Sequence, residues 1–368
     1  MGDGKGNFTK AENSLPDMLS SKQGIATGDF DKDGDLDIFV GGMGLPGSFP
    51  LSSRSWLLRN DSKDNQVKFT DVTEVVAPNL LNPGMVTSAF WQDLHKDGFP
   101  ELIIAGHWMP VKIFNNNGGK FTDISESSGL NNTDGLWSVL VPIDVNGDGA
   151  MDFIAGNAGL NSQHKTSHQE PMTIYAADFN HDGSIDPILT YYIQGKNYPY
   201  ASRDELLDQI VQMRKRFVKY ADYADITIDQ LFSKQQLEDA KKFYCIQLAS
   251  GIFENDGKGN FQFKALPVEA QFSSIYGVLA DDFDKDGTND LLLAGNFYPY
   301  RVQAGRADAS LGLMLKGEKS GGYKPVPSTD SGVHAPGDVR GLIGINDKSG
   351  KKKIVIVKND DLVQVLEY

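Results

Sequence analysis

The sequence predicts an all-β protein, a β-propeller of four-stranded blades carrying one α-helical insert, and three observations predict it. An acidic nine-residue loop recurs five times along the 368 residues. Four of the copies lead directly into a short apolar run closed by small residues: IFVGG, LIIAGH, FIAGN and LLLAGN. Asn/Gly turns running into strands such as KFTDVT and KFTDIS then recur downstream. Runs of about four apolar residues bounded by turn signals read as buried strands, so each loop sits between two strands.

The loop itself is clearest at 282–290, DFDKDGTND, where Asp282, Asp284, Asp286 and Asp290 stand at positions one, three, five and nine and Gly287 at six. Hard oxygen donors at alternate positions of a tight turn suit Ca²⁺, which takes about six to eight oxygens at about 2.3–2.6 Å. Glycine at the sixth place lets the chain turn so that Thr288, at position seven, can offer its carbonyl. Equivalent ligands are Asp29, Asp31, Asp33, Asp35 and Asp37 in 29–37, and Asp144, Asn146, Asp148, Ala150 and Asp152 in 144–152. A fourth set is Asp178, Asn180, Asp182, Ser184 and Asp186 in 178–186. The copy at 93–101 keeps Asp93, Asp97 and Glu101 but has His95 where a hard oxygen is expected, so it reads as weak or empty. The expectation is about four bound Ca²⁺ ions, with a fifth possible. An EF-hand is excluded, because its twelfth-position Glu and following helix are replaced by Val40, Ala155, Leu189 or Leu293 within apolar strands.

Taken in order, the first unit has strands at 24–30, DIFVGG, 55–60 and 68–73. The second has 85–93, ELIIAGHW, 111–117 and 120–125. A third starts at 136–144, continues as DFIAGNAGLNS and is short. A fourth starts at 172–179 with second strand PILTYYIQGK, and its third and fourth strands are read as 246–255 and 260–267, beyond the insert. The fifth runs from SIYGVLADDF to GYKPVP; the last starts at 337–346 and has lost the acidic ladder in its turn, NDKSGKK. First strands thus count six blades, with seven as the alternative. The last unit has three strands, and the N-terminal strand 6–13 is expected to complete it and close the ring as a single domain over 1–368, removing a free sheet edge. Because the chain opens within a repeat, it is expected to be part of a longer polypeptide that also carries any targeting sequence.

Between 202 and 243 the period changes from two to that of a helix: Leu206, Ile210, Met213 and Phe217 share a face. Ser202 with Glu205, Thr227 with Gln230 and Ser233 with Gln236 are capping boxes that start three helices. The basic run Arg214, Lys215 and Arg216 reads as a solvated helix face, with a docking surface as the alternative.

Composition narrows the function classes. A formal net charge of −14 without a clustered basic face argues against a nucleic-acid partner. Four divalent ions would offset more than half of that charge. Cys245 is the single cysteine, so no intrachain disulfide forms. There is no apolar run of about 18 residues to span a membrane.

With the ladder and the segments GGMGLP, AGHWMP, AGNAGL and AGNFYP in view, the chain resembles FG-GAP (VCBS-type) repeat proteins, the Ca²⁺-binding β-propeller family that includes the integrin α head. The KFTD strands and the long insert also resemble large bacterial surface proteins that pair such repeats with an ASPIC/UnbV domain, although no such domain is recognisable here. The resemblance implies Ca²⁺ in the hairpin between the first two strands of a blade, and extracytoplasmic residence at the cell surface, associated with the outer membrane or secreted. It implies no activity, since one fold hosts many.

Loops between second and third strands lie opposite the metal loops and are rich in aromatic and amide groups. His107, Trp108, Asn157, Asn161, Tyr198, Tyr200, Tyr298 and Arg301 are the ligand-binding candidates, suited to a glycan or a protein partner. No catalytic residue is identified: the chain lacks a GxSxG elbow, an HExxH helix and a Cys/His cluster. A non-catalytic binding or assembly module is therefore expected, with a Ca²⁺-dependent propeller polysaccharide lyase as the alternative.

Overall fold

The computed structural model describes residues 2–64, 66–301 and 305–368, without the side chains of Tyr300 and Arg301. The fold is all-β with a few short helices, and every named strand pairing is antiparallel. Strands β1 (Lys22–Gly28), β2 (Asp37–Gly42), β3 (Trp56–Asn60) and β4 (Phe69–Asp71) form the first sheet in sequence order. The second is β5 (Met85–Gln92), β6 (Glu101–Met109), β7 (Lys112–Asn116) and β8 (Phe121–Asp123), with the two-residue β9 (Gly135–Leu136) added on β6.

The third sheet opens with β10 (Val139–Ile143) and β11 (Asp152–Gly156), and then the chain leaves it. Strands β12 (Met172–Ala177), β13 (Asp186–Ile193), β14 (Lys196–Pro199) and β15 (Lys241–Cys245) build a separate inserted sheet in the order β14-β13-β12-β15. The chain returns as β16 (Gly251–Asn255) and β17 (Phe261–Ala265), completing the third sheet as β10-β11-β16-β17. This corrects the assignment of 246–255 and 260–267 to the fourth unit. The free edge of β11 is filled from beyond the insert, in the register Phe153 with Phe253, and Asn255 donates its backbone N–H to Asp152 Oδ1 at 2.7 Å.

Strands β18 (Ile275–Asp281) and β19 (Asp290–Gly295), a small hairpin of β20 (Phe297–Arg301) and β21 (Gly305–Ala307), then β22 (Leu313–Gly317) and β23 (Tyr323–Val326) follow. The fourth sheet is β18-β19-β22-β23. The fifth has three strands, β24 (Val339–Asn346), β25 (Lys352–Lys358) and β26 (Gln364–Glu367). Strand 6–13 does not join it. Its start curls into a turn with a Gly2–Phe8 bridge, and Ser14 accepts from the Phe69 N–H of β4 at 2.8 Å, at the other end of the series.

The five sheets stack through their first strands: β1 on β5, β5 on β10, β10 on β18, β18 on β24. Each gap is one apolar layer. Phe39, Leu57, Leu102 and Phe114 fill the first; Ile103, Ile113, Phe153 and Phe253 the second; Ile154, Ile252, Leu291 and Leu315 the third. Leu292, Ile354 and Ile356 lie in the fourth. Alternate residues of one strand, such as Leu102 and Ile103, enter opposite layers, which is why the strands read as continuous apolar runs. The fifth sheet leaves Ile343, Ile345, Val357 and Val365 exposed on its far side.

The helices of the insert pack Leu206, Leu207, Ile210, Phe217 and Leu231 around Phe179 and Ile188 of the inserted sheet. All three expected capping boxes are present. The first helix stops at Gln209 and continues as a 3₁₀ turn over Val211–Lys215. The inserted sheet meets the second one through β15 on β6 and β9.

Candidate functional site: the acidic loops and the opposite face

All five loops adopt one conformation. Residue four has positive φ in each (Lys32, Lys96, Gly147, His181, Lys285), and so does the glycine at six. The first-position carboxylate accepts from the backbone N–H of position six in every copy: Gly34 to Asp29 at 3.0 Å, Gly98 to Asp93 at 2.8 Å, Gly149 to Asp144 at 3.0 Å, Gly183 to Asp178 at 2.9 Å, Gly287 to Asp282 at 3.0 Å. The fifth-position carboxylate accepts from the N–H of position seven, as Thr288 to Asp286 at 2.9 Å. Short side chains that bond the backbone two residues on hold such turns.

The ninth-position acid has a different job. Asp37, Glu101 and Asp152 are fully buried, and Asp186 and Asp290 nearly so. Asp37 accepts from Phe30 N–H at 3.1 Å and from Asn60 N–H, at the end of β3, at 2.8 Å. Asp290 does the same with Phe283 and Gly317, at 3.1 and 2.9 Å. One carboxylate thus ties the loop to the third strand. Burial, only partly opposed by these N–H donors, pushes the Asp37 carboxyl up to about 6. Burial also raises Asp152 and Asp290, and burial followed by the neighbouring Asp33 raises Asp31 and Asp35.

Carboxylate oxygens of Asp29, Asp31 and Asp37 converge within 4.8 Å of one another, and so do those of Asp282, Asp284 and Asp290. In the first loop Asp31 Oδ1 and Asp35 Oδ1 are buried without a hydrogen-bond partner. Buried orphan oxygens are costly in a protein interior. Together with an all-oxygen donor set and carboxyl groups held above their ordinary range, they fit a hard divalent cation.

The weaker copies depart as their residues dictate. In 93–101 the imidazole Nδ1 of His95 lies 3.0 Å from Oε1 of the buried Glu101, in the place of an oxygen ligand. In 144–152 Ala150 offers only its carbonyl, and the Asn146 amide is turned onto Asp148 at 2.9 Å. Neighbouring loops are linked: Lys32 Nζ donates to the Asp97 carbonyl at 2.7 Å, and Lys96 Nζ to that of Gly149 at 3.2 Å. Three loops therefore line one rim.

On the other face the structure divides the ligand candidates. Asn157 is fully buried; its Oδ1 accepts from Leu136 and Ala158, and its Nδ2 donates to the Gln247 carbonyl. It serves the fold, because all its polar groups are spent on backbone. Trp108 packs among Met172, Cys245, Leu248 and Tyr191, where the inserted sheet meets the second. His107, half-buried between the β5 and β9 pairings, has its pKa pushed down to about 4 by burial.

Tyr200 lies 4.8 Å, centroid to centroid, from His164 and 5.9 Å from Tyr191. Tyr198 and Tyr191 line an open cleft of ≈340 Å³ together with Tyr223 and Asp225 of the insert. Asn161 is exposed, with Nδ2 on the Phe272 carbonyl at 3.1 Å. Tyr298, on the β20–β21 hairpin, carries the Arg306 guanidinium 4.5 Å above its ring; the Arg301 side chain lies outside the described residues. Sequence reasoning missed Tyr191, which the β13–β14 hairpin pairs directly with Tyr198, and Tyr223, which the insert brings to the same cleft. The basic run is largely spent within the insert: Arg216 holds the Leu231 and Gln230 carbonyls, and Arg214 bonds Leu207 and Asp208.

A family model described as an FG-GAP-like repeat matches residues 93–155, from the weak loop to the end of the next loop's apolar strand. Among curated proteins no match is found. Among solved structures, one on specific recognition of non-reducing terminal N-acetylglucosamine by an Agrocybe aegerita lectin is 16% identical, covering 95% of this chain and 81% of that one at a TM-score of 0.32. Chaetomium thermophilum Sqt1 is 9% identical, covering 95% and 82%, also at 0.32. At that TM-score neither likeness extends to fold or ligand. Among the described residues no helix is long and apolar enough to cross a membrane.

Proposed function

We propose that this chain is a calcium-stabilised, non-catalytic binding module, built as a β-propeller of FG-GAP repeats and working outside the cytoplasm, where millimolar Ca²⁺ fills even mediocre sites. The observation that carries this reading is the first loop: three converging carboxylates and two buried oxygens without a donor. Asp29, Asp31, Asp33, Asp35 and Asp37 would hold the ion there, and Asp282, Asp284, Asp286, Thr288 and Asp290 in the fourth sheet. When bound, the ion supplies charge neutralisation and a rigid first hairpin. The stacking of the sheets through their first strands supports the propeller reading, and the repeat match at 93–155 supports the module reading.

The face opposite the loops is the proposed contact surface, centred on the cleft lined by Tyr191, Tyr198, Tyr223 and Asp225. Its size falls within the range of small-ligand sites, about 300–1,000 Å³. Tyrosine faces beside an amide and a carboxylate suit a sugar of a glycan partner. The test is a glycan array probed with and without Ca²⁺, using the native chain and Tyr198→Ala. Capture of a sugar by the native chain, lost in the variant while its melting temperature holds, is the expected result. A native chain that captures nothing, or equal capture by both, overturns the glycan assignment.

A further inference from the structure

The third strand of each stacked sheet places one residue opposite the ninth loop position, and its identity differs from sheet to sheet. Leu58 pairs with Ile38, so Arg59 stands opposite Asp37; by the same ladders Asn115 faces Glu101, Glu254 faces Asp152 and Lys316 faces Asp290. A strand alternates its faces strictly, so each of these four side chains lies on the same face of its sheet as the ninth-position acid it pairs with.

Only one of the two basic residues enters its loop. Lys316 Nζ bonds Asp284 Oδ2 and lies 3.1 Å from Asp286 Oδ2, bridging the third- and fifth-position carboxylates. Arg59 instead turns its Nε onto Asp61 at 2.9 Å, beyond the loop, and there Asp31 Oδ1 stays without a donor. The two loops present the same converging carboxylates. They differ at position seven, Asp35 against Thr288, and in an ammonium group seated in 282–290 where a divalent ion would compete for the same oxygens.

We propose that Lys316 is a tethered cation that occupies the 282–290 loop in place of a divalent ion. This loop then binds Ca²⁺ more weakly than 29–37 and fills only as the ammonium is displaced. The proposal rests on the calcium reading of the loops and adds an order of filling to it, in which a third-strand residue takes part alongside the ligands themselves. Glu254, of opposite sign and lining the same cleft as Asn146 and Asp148, is the counterpart at 144–152.

The test is calorimetric titration of the full chain, freed of metal, with CaCl₂, comparing the native protein with Lys316→Met and with Lys316→Met combined with Asp284→Asn. Lys316 is half exposed, so the single variant folds, and circular dichroism checks that it does. The native chain is expected to show a tighter and a weaker class of sites. Lys316→Met is expected to tighten one weak site by about tenfold or more, as removal of a positive charge in contact with the ligands requires, and Asp284→Asn removes that gain. Binding by the native chain that Lys316→Met leaves unchanged overturns the inference with the calcium reading intact. Absence of binding in both overturns the calcium reading itself.

Discussion

Asp37 shows how one residue serves fold and site together. Its two oxygens are the acceptors for Phe30 and Asn60, and it belongs to the converging trio of the first loop. Asp37→Ala strands one buried and one partly buried N–H group, a buried one costing about 1–3 kcal/mol when left unsatisfied. In metal-free protein a loss of about 3 kcal/mol is expected in urea unfolding. Asp33→Ala, which removes only exposed turn acceptors, should cost about 1 kcal/mol or less. Equal costs would show that Asp37 acts through metal alone. The periodic acids were legible in the sequence because ligand and turn chemistry both demand fixed spacing. What could not be read was the split between exposed acids that hold the turn and the buried ninth acid that clasps the third strand, since burial depends on strands from elsewhere in the chain. Asn157 was misread for the same reason: an amide after AG looks available until Gln247, 90 residues on, is placed against it.

At the scale of elements, the small residues closing each apolar run have a steric cause. A Cβ on Gly106 would lie 1.9 Å from the Met85 carbonyl oxygen, so β5 and β6 can pair there only if that position has no side chain. Gly106→Ala is expected to lower stability by about 3 kcal/mol or more, or to prevent folding, as forced backbone separation in a packed sheet does. Gly341→Ala on β24 meets nothing within 4 Å and should change stability by no more than about 0.5 kcal/mol. Parallel thermal melts of the two variants check the contrast, and similar melts would refute the steric account. The second strands of the first four sheets were readable because they are buried on both faces. The partnership of β11 with β16 was not, because an insert of about one sheet interrupts the third unit and local pattern carries no information across it; only the shortness of that unit hinted at the break. The capping boxes of the insert were readable, being wholly local.

At the scale of the molecule, the sheets cohere through apolar layers, and three of the acidic loops are linked along one rim. A net charge of −14 concentrated partly in those loops works against compactness unless cations neutralise it. Lys32 and Lys96 reach from one loop to the next and Lys316 sits within its own, so the chain supplies some of that neutralisation itself. The remainder, on this account, comes from Ca²⁺, concentrated at 29–37, where Arg59 bonds Asp61 and not the loop carboxylates. Among the described residues strand 6–13 does not join the fifth sheet, and the chain just after it, at Ser14, bonds β4 of the first. On this account stability rests on the apolar layers and on the neutralised loops. The measurement that bears most directly on this is the melting temperature of the full chain in 2 mM CaCl₂ against the same protein in EDTA, with Mg²⁺ as a control. Saturating a site at about 100 times its Kd stabilises by about 2.7 kcal/mol, so calcium is expected to raise the melting temperature by about 5 °C or more. A melt that does not respond to calcium would contradict the account.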